Sequence, residues 1–219
     1  MQFQDTVKNE YQQFLNSKTF PCVAAKDAMA KDRIKIFVAE NIACPKDDKA
    51  ILDFLYSFTR FYRNSGKGFY SAAVIFKQTE IYSEEQFDAC MWERLQSISN
   101  MDALQYSNDK RVAAKPADVN FSFSLMEEAY FIVGLHPNSS RPARTFAYPT
   151  LVFNPHAQFE EMKKGARYEK MKTIVRKRDV IFSGSVNPML TDFGEASEVY
   201  QYSGRNYDNE WTCPFIPKQ

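Results

Sequence analysis

The chain has little glycine, very little histidine and almost no net charge. Seven of its 219 residues are glycine, two are histidine, and the formal net charge is +1. A near-neutral chain has no overall attraction to nucleic acid or to an anionic membrane, so we expect neither as a partner. No apolar run approaches the roughly 20 residues that a membrane span requires. The first residues also lack the cationic and apolar regions of a signal peptide, and we expect a cytoplasmic protein.

The four cysteines are scattered and form no CxxC pair. They stand at positions 22, 44, 90 and 213. This spacing argues against a Cys/His zinc site and predicts reduced thiols, as in a cytoplasmic protein. Cys22 lies at the N-terminus of a predicted helix, whose dipole can lower a thiol pKa, so it is a candidate thiolate. The alternative is a small residue packed in the core.

The apolar periodicity predicts a layered fold with a loop-rich end. Helices are expected over residues 5–16, 22–32, 47–63, 83–98 and 158–178, and strands over 33–40, 69–77, 120–125, 129–135 and 148–153. Helices and strands alternate first and strands then cluster. This order predicts an α/β or α+β single domain over residues 1–219, with a central mixed sheet of about five strands covered by helices. Five of the seven glycines lie from Gly134 onward, which predicts a loop-rich C-terminal segment.

The segment from Gly134 to Asn154 is the chemically most crowded part of the chain. It reads GLHPNSSRPARTFAYPTLVFN, between two predicted buried strands. Ser139, Ser140, Arg141 and Arg144 form a compact cluster within it. Arginine offers a planar fork of donors that matches carboxylate or phosphate. The cluster is therefore either a carboxylate clamp or a set of solvated loop arginines.

Both histidines border predicted strands in or beside this segment. His136 follows an apolar strand and precedes a proline, and His156 follows Pro155 at a predicted helix start. A neutral imidazole held in this way suits a metal or haem ligand. The alternative for each is a histidine that is hydrogen-bonded in a turn or caps a helix. Two histidines and a carboxylate would also suffice for non-haem iron.

A second unusual segment runs from Gly184 to Arg205. It reads GSVNPMLTDFGEASEVYQYSGR and supplies the carboxylates of Asp192, Glu195 and Glu198. One of them could bind a cationic substrate group or relay protons. The alternative is a set of loop acids, or counter-charges to the arginines. The Asp-Phe-Gly triplet lacks the glycine-rich and His-Arg-Asp loops of a kinase.

The chain closely resembles the YqcI/YcgG family. The resemblance rests on FPCVAAKDA, HPNSSRPARTFAYPTLVFNPHAQFE, YEKMKTIVRKRD, GSVNPMLTDFGEASEVYQYSGR and WTCPF, in this order along the chain. It implies a haem-dependent oxygenase or peroxygenase that N-hydroxylates a guanidino or amino group of a small arginine-like substrate. Haem b, oxygen or peroxide and an electron donor are the implied partners, and the protein would be a monomer or homodimer.

The resemblance also implies roles for particular residues. His136 is expected as the iron ligand, with His156 as the second choice. The cofactor contacts are expected from Ser140, Arg141, Arg144 and Arg205, and the catalytic carboxylate from Glu195 or Asp192. Two alternatives remain open: a haem-binding sensor or carrier without turnover, and a non-haem iron or pocket protein that uses both histidines.

Overall fold

The fold is a five-stranded sheet with helices on both faces. The computed structural model describes residues 2–163, 167–184, 194–208 and 210–218, and only the backbone of residues 2 and 167–172. The helices in this part of the chain are α1 (Gln2–Asn16), α2 (Val23–Ala30), α3 (Asp48–Arg63), α4 (Glu84–Asp102), α5 (His156–Lys163), α6 (Arg167–Ser183) and α7 (Val199–Tyr202). The strands are β1 (Ile34–Ala39), β2 (Ser71–Phe76), β3 (Phe123–Leu125), β4 (Glu128–Leu135) and β5 (Thr150–Pro155).

The sheet is mixed, with the strand order β1-β2-β5-β4-β3. β1 and β2 are parallel, because α3 provides the crossover between them. β5 is antiparallel to β2 and to β4, and β3 and β4 form a tight hairpin. The central strands β2, β4 and β5 are buried along most of their length, as their nearly continuous apolar sequences predict.

The alternation of side chains along the strands builds two cores. On one face, Val74 and Phe153 pack with Leu55 of α3 and Phe87 of α4. On the other face, Ile75, Leu135 and Val152 pack with residues of α1 and α2, among them Val7, Tyr11 and Ala28. Because successive strand residues point to opposite faces, one apolar strand serves both cores.

The helix starts follow from local chemistry. The Ser83 hydroxyl accepts a hydrogen bond from Gln86 N at 3.1 Å, and the Gln86 side chain accepts one from Tyr82 N at 2.7 Å. These bonds satisfy backbone donors that the first turn of α4 leaves open. Cys22 is the N-cap of α2, and its Sγ accepts from Ala25 N at 3.4 Å. Burial raises the pKa of the Cys22 thiol, and this outweighs the capping bonds that lower it, which argues against the thiolate role.

The predicted fold class is confirmed, with one difference in the helices. The structure contains a single mixed α/β domain with an open five-stranded sheet. The helix expected over residues 158–178 is described as two helices, α5 and α6, on either side of residues 164–166. α5 also begins at His156, directly after β5. Within the described chain, no helix is both long and apolar enough to cross a membrane.

Candidate functional site

His136 lies at the end of β4 in an enclosed, mostly apolar setting. Its backbone N–H donates to Arg144 O at 3.1 Å, and its carbonyl accepts from Phe146 N at 3.4 Å. Its ring stacks on the ring of Phe87, with centroids 4.4 Å apart. The side chain is 1% exposed, and Nδ1 has no hydrogen-bond partner among the described residues. Burial, rather than any single charge, lowers the pKa of His136 to about 4, so the imidazole is neutral.

Arg144 holds this loop against the C-terminal part of the chain. Its Nη1 donates to the carbonyls of Gly134 and Tyr202, both at 3.0 Å, and its Nη2 donates to Gln201 O at 2.9 Å. Gly204, at φ +90°, lies against the same side chain: an added Cβ would stand 3.3 Å from Arg144 Cγ. Burial, and then the charge of Arg141, lowers the pKa of Arg144 to about 10. The guanidinium therefore stabilises the fold by bonding to backbone carbonyls.

The other two loop residues also have protein partners. Arg141 Nη2 donates to Asp179 of α6 at 2.7 Å. The backbone N–H and the hydroxyl of Ser140 both donate to Glu84 Oε1, at 2.9 and 2.8 Å. The residues predicted as a possible carboxylate clamp thus largely attach the loop to α4, α6 and α7.

His156 has a different environment, built around a buried carboxylate. Its Nδ1 lies 3.3 Å from Glu198 Oε1, and its Nε2 lies 3.6 Å from Glu160 Oε1. Glu198 is buried and also accepts a hydrogen bond from the Tyr202 hydroxyl at 3.2 Å. Burial and then the charge of Glu198 raise the pKa of Tyr202, so this hydroxyl stays protonated. A carboxylate that holds one imidazole nitrogen is the usual support of a metal-ligating histidine, because it fixes the tautomer and the ring orientation.

The two histidines lie at opposite ends of the β4–β5 pair. Leu135 pairs with Thr150 and Tyr130 with Pro155. At about 3.3 Å per residue, this register separates the backbones of His136 and His156 by roughly 20 Å. Ligands of one metal ion lie about 2 Å from it, so the two rings cannot share an ion. The register therefore argues against a non-haem iron site that uses both histidines. Among the residues with described side chains, no group of three or more His, Cys, Asp and Glu could hold a metal ion.

The second unusual segment contributes a buried carboxylate that differs from the expected ones. Glu195 is exposed, and Asp192 lies outside the described residues. Arg205 Nη1 lies 3.5 Å from Asp88 Oδ2, and the guanidinium stands over the Tyr207 ring at 5.0 Å. The buried acid is instead Glu198. Its i,i+4 spacing to Tyr202 is the sequence signal that could have identified it.

A cleft of about 740 Å³ opens at the His156 end of the sheet. It is lined by Tyr62, Arg63, Ser65, Gly66, Lys67, Gly68, Phe69, Arg111, Glu128, Ala157, Gln158, Glu161 and Met162. Ala157, which lines the cleft, directly follows His156, and Glu128 begins β4 at the same end of the β4–β5 pair. The volume lies in the range of small-molecule sites. Sequence reasoning missed this cleft because its arginines and acids belong to no motif and come from distant parts of the chain.

Comparisons with known proteins extend over nearly the whole chain. The model of the YqcI/YcgG family matches residues 11–216. The uncharacterized protein YqcI of Bacillus subtilis (strain 168) is 27% identical over 207 residues, which cover 90% of this chain and 80% of that protein. The uncharacterized protein YcgG of the same organism is 24% identical over 211 residues, which cover 91% of this chain and 82% of that protein. No solved structure matches. The matched range includes both histidines and every residue of the cleft.

Proposed function

The chain belongs to the YqcI/YcgG family, and we propose that it is a haem-dependent oxygenase or peroxygenase. Its substrate would be a small arginine-like molecule, N-hydroxylated at a guanidino or amino group. The family resemblance supplies the reaction class. The observation that carries the proposal in this chain is the buried pair of His156 and Glu198, 3.3 Å apart.

The His156 environment fits a haem ligand better than the His136 environment, although the family resemblance made His136 the first choice. A proximal histidine needs one nitrogen for iron and the other held by a hydrogen-bond acceptor. In His156, Nδ1 lies 3.3 Å from Glu198 Oε1, and Nε2 lies 3.6 Å from the carboxylate of Glu160, whose side chain is 43% exposed. The His136 ring has no carboxylate at ion-pair distance among the described residues, and it is covered by Phe87.

The arginines of the loop do not fit the propionate role that the resemblance implies. Arg144 donates to three backbone carbonyls and Arg141 is paired with Asp179. Moving either guanidinium to a propionate would leave those partners without their hydrogen bonds. We therefore assign the ligand position to His156 and its orientation to Glu198. When bound, haem would supply the oxygen chemistry, whereas the protein supplies ligation, orientation and exclusion of water.

Haem titration tests the proposal directly. We expect purified protein to develop a Soret band when haem is added. His156→Ala should abolish this band, and added imidazole should restore it, because the buried Glu198 remains to hold a free imidazole. His136→Ala is the matched control and should keep the band. The opposite pattern would make His136 the ligand, and the absence of any band in the wild type would refute haem binding.

Turnover separates an enzyme from a haem carrier. Haem-loaded protein should convert L-arginine, with peroxide or with oxygen and a reductant, to a product heavier by one oxygen atom. A protein that binds haem but produces no hydroxylated product from arginine or related guanidines would be a sensor or carrier.

A further inference from the structure

The cleft between α3, β4 and α5 contains hydrogen-bond donors that the protein itself does not use. Arg63 and Arg111 both line it, and both are fixed in place by buried carboxylates. Neither Nη1 atom donates to a described residue, and the Tyr62 hydroxyl likewise has no hydrogen-bond partner among them. Donors that are positioned but unused at the wall of a cavity are suited to a ligand with acceptor oxygens.

Arg111 is held by two acids, which leaves one edge of its guanidinium available. Its Nε donates to Asp109 at 2.9 Å, and its Nη2 donates to Asp109 at 2.5 Å and to Glu128 at 2.8 Å. Burial alone would raise the pKa of Asp109, but the hydrogen bonds from Arg111 and from Ala129 N outweigh it and lower that pKa. Asp109 therefore stays ionised and orients Arg111. The Arg111 side chain is 55% exposed, so its remaining edge can be reached from solvent.

Arg63 is held by Glu128 and by a tight turn. Its Nε donates to Glu128 at 3.1 Å, and its Nη2 donates to the carbonyls of Met126 and Glu127 at 2.8 and 3.0 Å. Met126 and Glu127 have φ values of 53° and 55°, in the left-handed region that favours glycine. Positive φ at both central residues is the favoured geometry of a two-residue hairpin turn, because its twist matches that of the flanking strands. Here this turn closes the hairpin that presents Glu128 to both arginines.

Other features of the cleft suit the rest of an amino-acid-like ligand. Tyr62 and Phe69 offer aromatic surface, and the pKa of Tyr62 is raised to about 12 by burial and then by Glu128. The Tyr62 hydroxyl is therefore a proton donor at neutral pH. Glu161 of α5 supplies a half-exposed carboxylate, 2.5 Å from Lys67, which a planar cation could contact.

We propose that this cleft binds the α-carboxylate of a small amino acid with a cationic side chain. The carboxylate bonds to Arg63, Arg111 and the Tyr62 hydroxyl, and the cationic end lies towards Glu161. This identification of the ligand rests on the proposed function, because that function names an arginine-like substrate. The cleft also lies at the end of the sheet that carries His156, which is where such a substrate would be needed.

Calorimetry on haem-free protein tests the carboxylate site. We expect L-arginine to bind and agmatine, which lacks only the carboxylate, to bind at least about tenfold more weakly, since hydrogen bonds to charged groups are the stronger class. Arg111→Gln should weaken L-arginine binding about tenfold or more and leave agmatine binding unchanged. Lys110→Gln is the matched control: it removes the same charge one residue away, at an exposed position outside the cleft, and should change neither.

A second variant keeps the test decisive if Arg111→Gln fails to fold. Tyr62→Phe removes one donor and retains the ring, which packs on Tyr70 with centroids 5.5 Å apart. This variant should weaken the binding of L-arginine several-fold and leave the binding of agmatine unchanged. Equal affinity for the two ligands in the wild type, or binding of neither, would overturn the inference.

The outcome also distinguishes this inference from the proposed function. If the Arg111 and Tyr62 variants hydroxylate arginine with an unchanged KM, the cleft does not bind the substrate carboxylate. The proposed function would not be affected by this result. Carboxylate-dependent binding without turnover would support the carboxylate site in the cleft and refute the proposed enzymatic activity.

Discussion

The buried neutral imidazole of His136 makes a quantitative prediction about acid stability. The pKa of His136 falls from its ordinary 6.5 to about 4 because the ring is buried against Phe87. Between these values the unfolded chain binds a proton at this position and the folded protein does not. Stability is therefore complete above pH 6.5 and falls as the pH decreases towards 4. The full difference corresponds to about 3 kcal/mol, and about 2 kcal/mol of it should be lost by pH 5.

The perturbation that isolates this effect is His136→Phe. Phenylalanine keeps a planar ring for stacking on Phe87 and removes the titrating group together with the Nδ1 atom that has no described partner. Replacing an unsatisfied buried polar group with an apolar one of similar shape can be neutral or stabilising, so the variant should fold at pH 7.

Urea unfolding of the haem-free protein at pH 7 and pH 5 provides the measurement. The wild type should lose about 2 kcal/mol more than His136→Phe between these two pH values, because all other titrating groups are common to both proteins. Equal losses in the two proteins would refute the reasoning. An NMR titration that finds the His136 pKa near 6.5 in the folded state would refute it as well.

Three further variants test contacts that the fold depends on. Gly134→Ala should lower the free energy of unfolding by about 2 kcal/mol, because the new Cβ would stand 2.5 Å from the ring of Phe87; thermal unfolding against wild type measures this. Glu127→Gly should raise the free energy of unfolding by up to about 1 kcal/mol, because φ is 55° at this position, a value that favours glycine. Urea unfolding checks the sign of this change. Asp102→Asn should lower the free energy of unfolding by about 3 kcal/mol, because the ammonium of Lys218, which is 5% exposed, loses its buried partner. Urea unfolding at pH 7 measures this loss.

The secondary structure could be predicted from the sequence because its causes are local. Ser83 and Gln86 mark the start of α4 by bonds within one helical turn, and the apolar runs of β4 and β5 predict buried strands. The strand order and the cleft were not predictable in this way. Arg63, Arg111 and Glu128 have ordinary neighbours in the sequence, and only the folded chain brings their side chains together.

The choice among the carboxylates shows the same limit of local reasoning. Glu195 and Glu198 stand three residues apart in one polar segment, and nothing in their own identities separates them. α7 separates them: Glu198 directly precedes it and Tyr202 ends it, which turns the Glu198 carboxylate inward to His156 and leaves Glu195 exposed. A charged residue one helical turn before a buried tyrosine was the available signal, and it needed the helix to be recognised first.

The two ends of the β4–β5 pair differ in what their polar groups do, and this difference supports the proposed ligand site at the His156 end. At the His136 end, Arg144 bonds to three backbone carbonyls, and the imidazole is covered by an aromatic ring and held neutral. These contacts stabilise a loop and leave little for a ligand. At the His156 end, the buried Glu198 lies 3.3 Å from the imidazole, and buried acids bond to two guanidinium groups that line an open cleft. Carboxylates are costly to bury unless they are paired, so their concentration around guanidinium groups with unused donors supports ligand binding at this end.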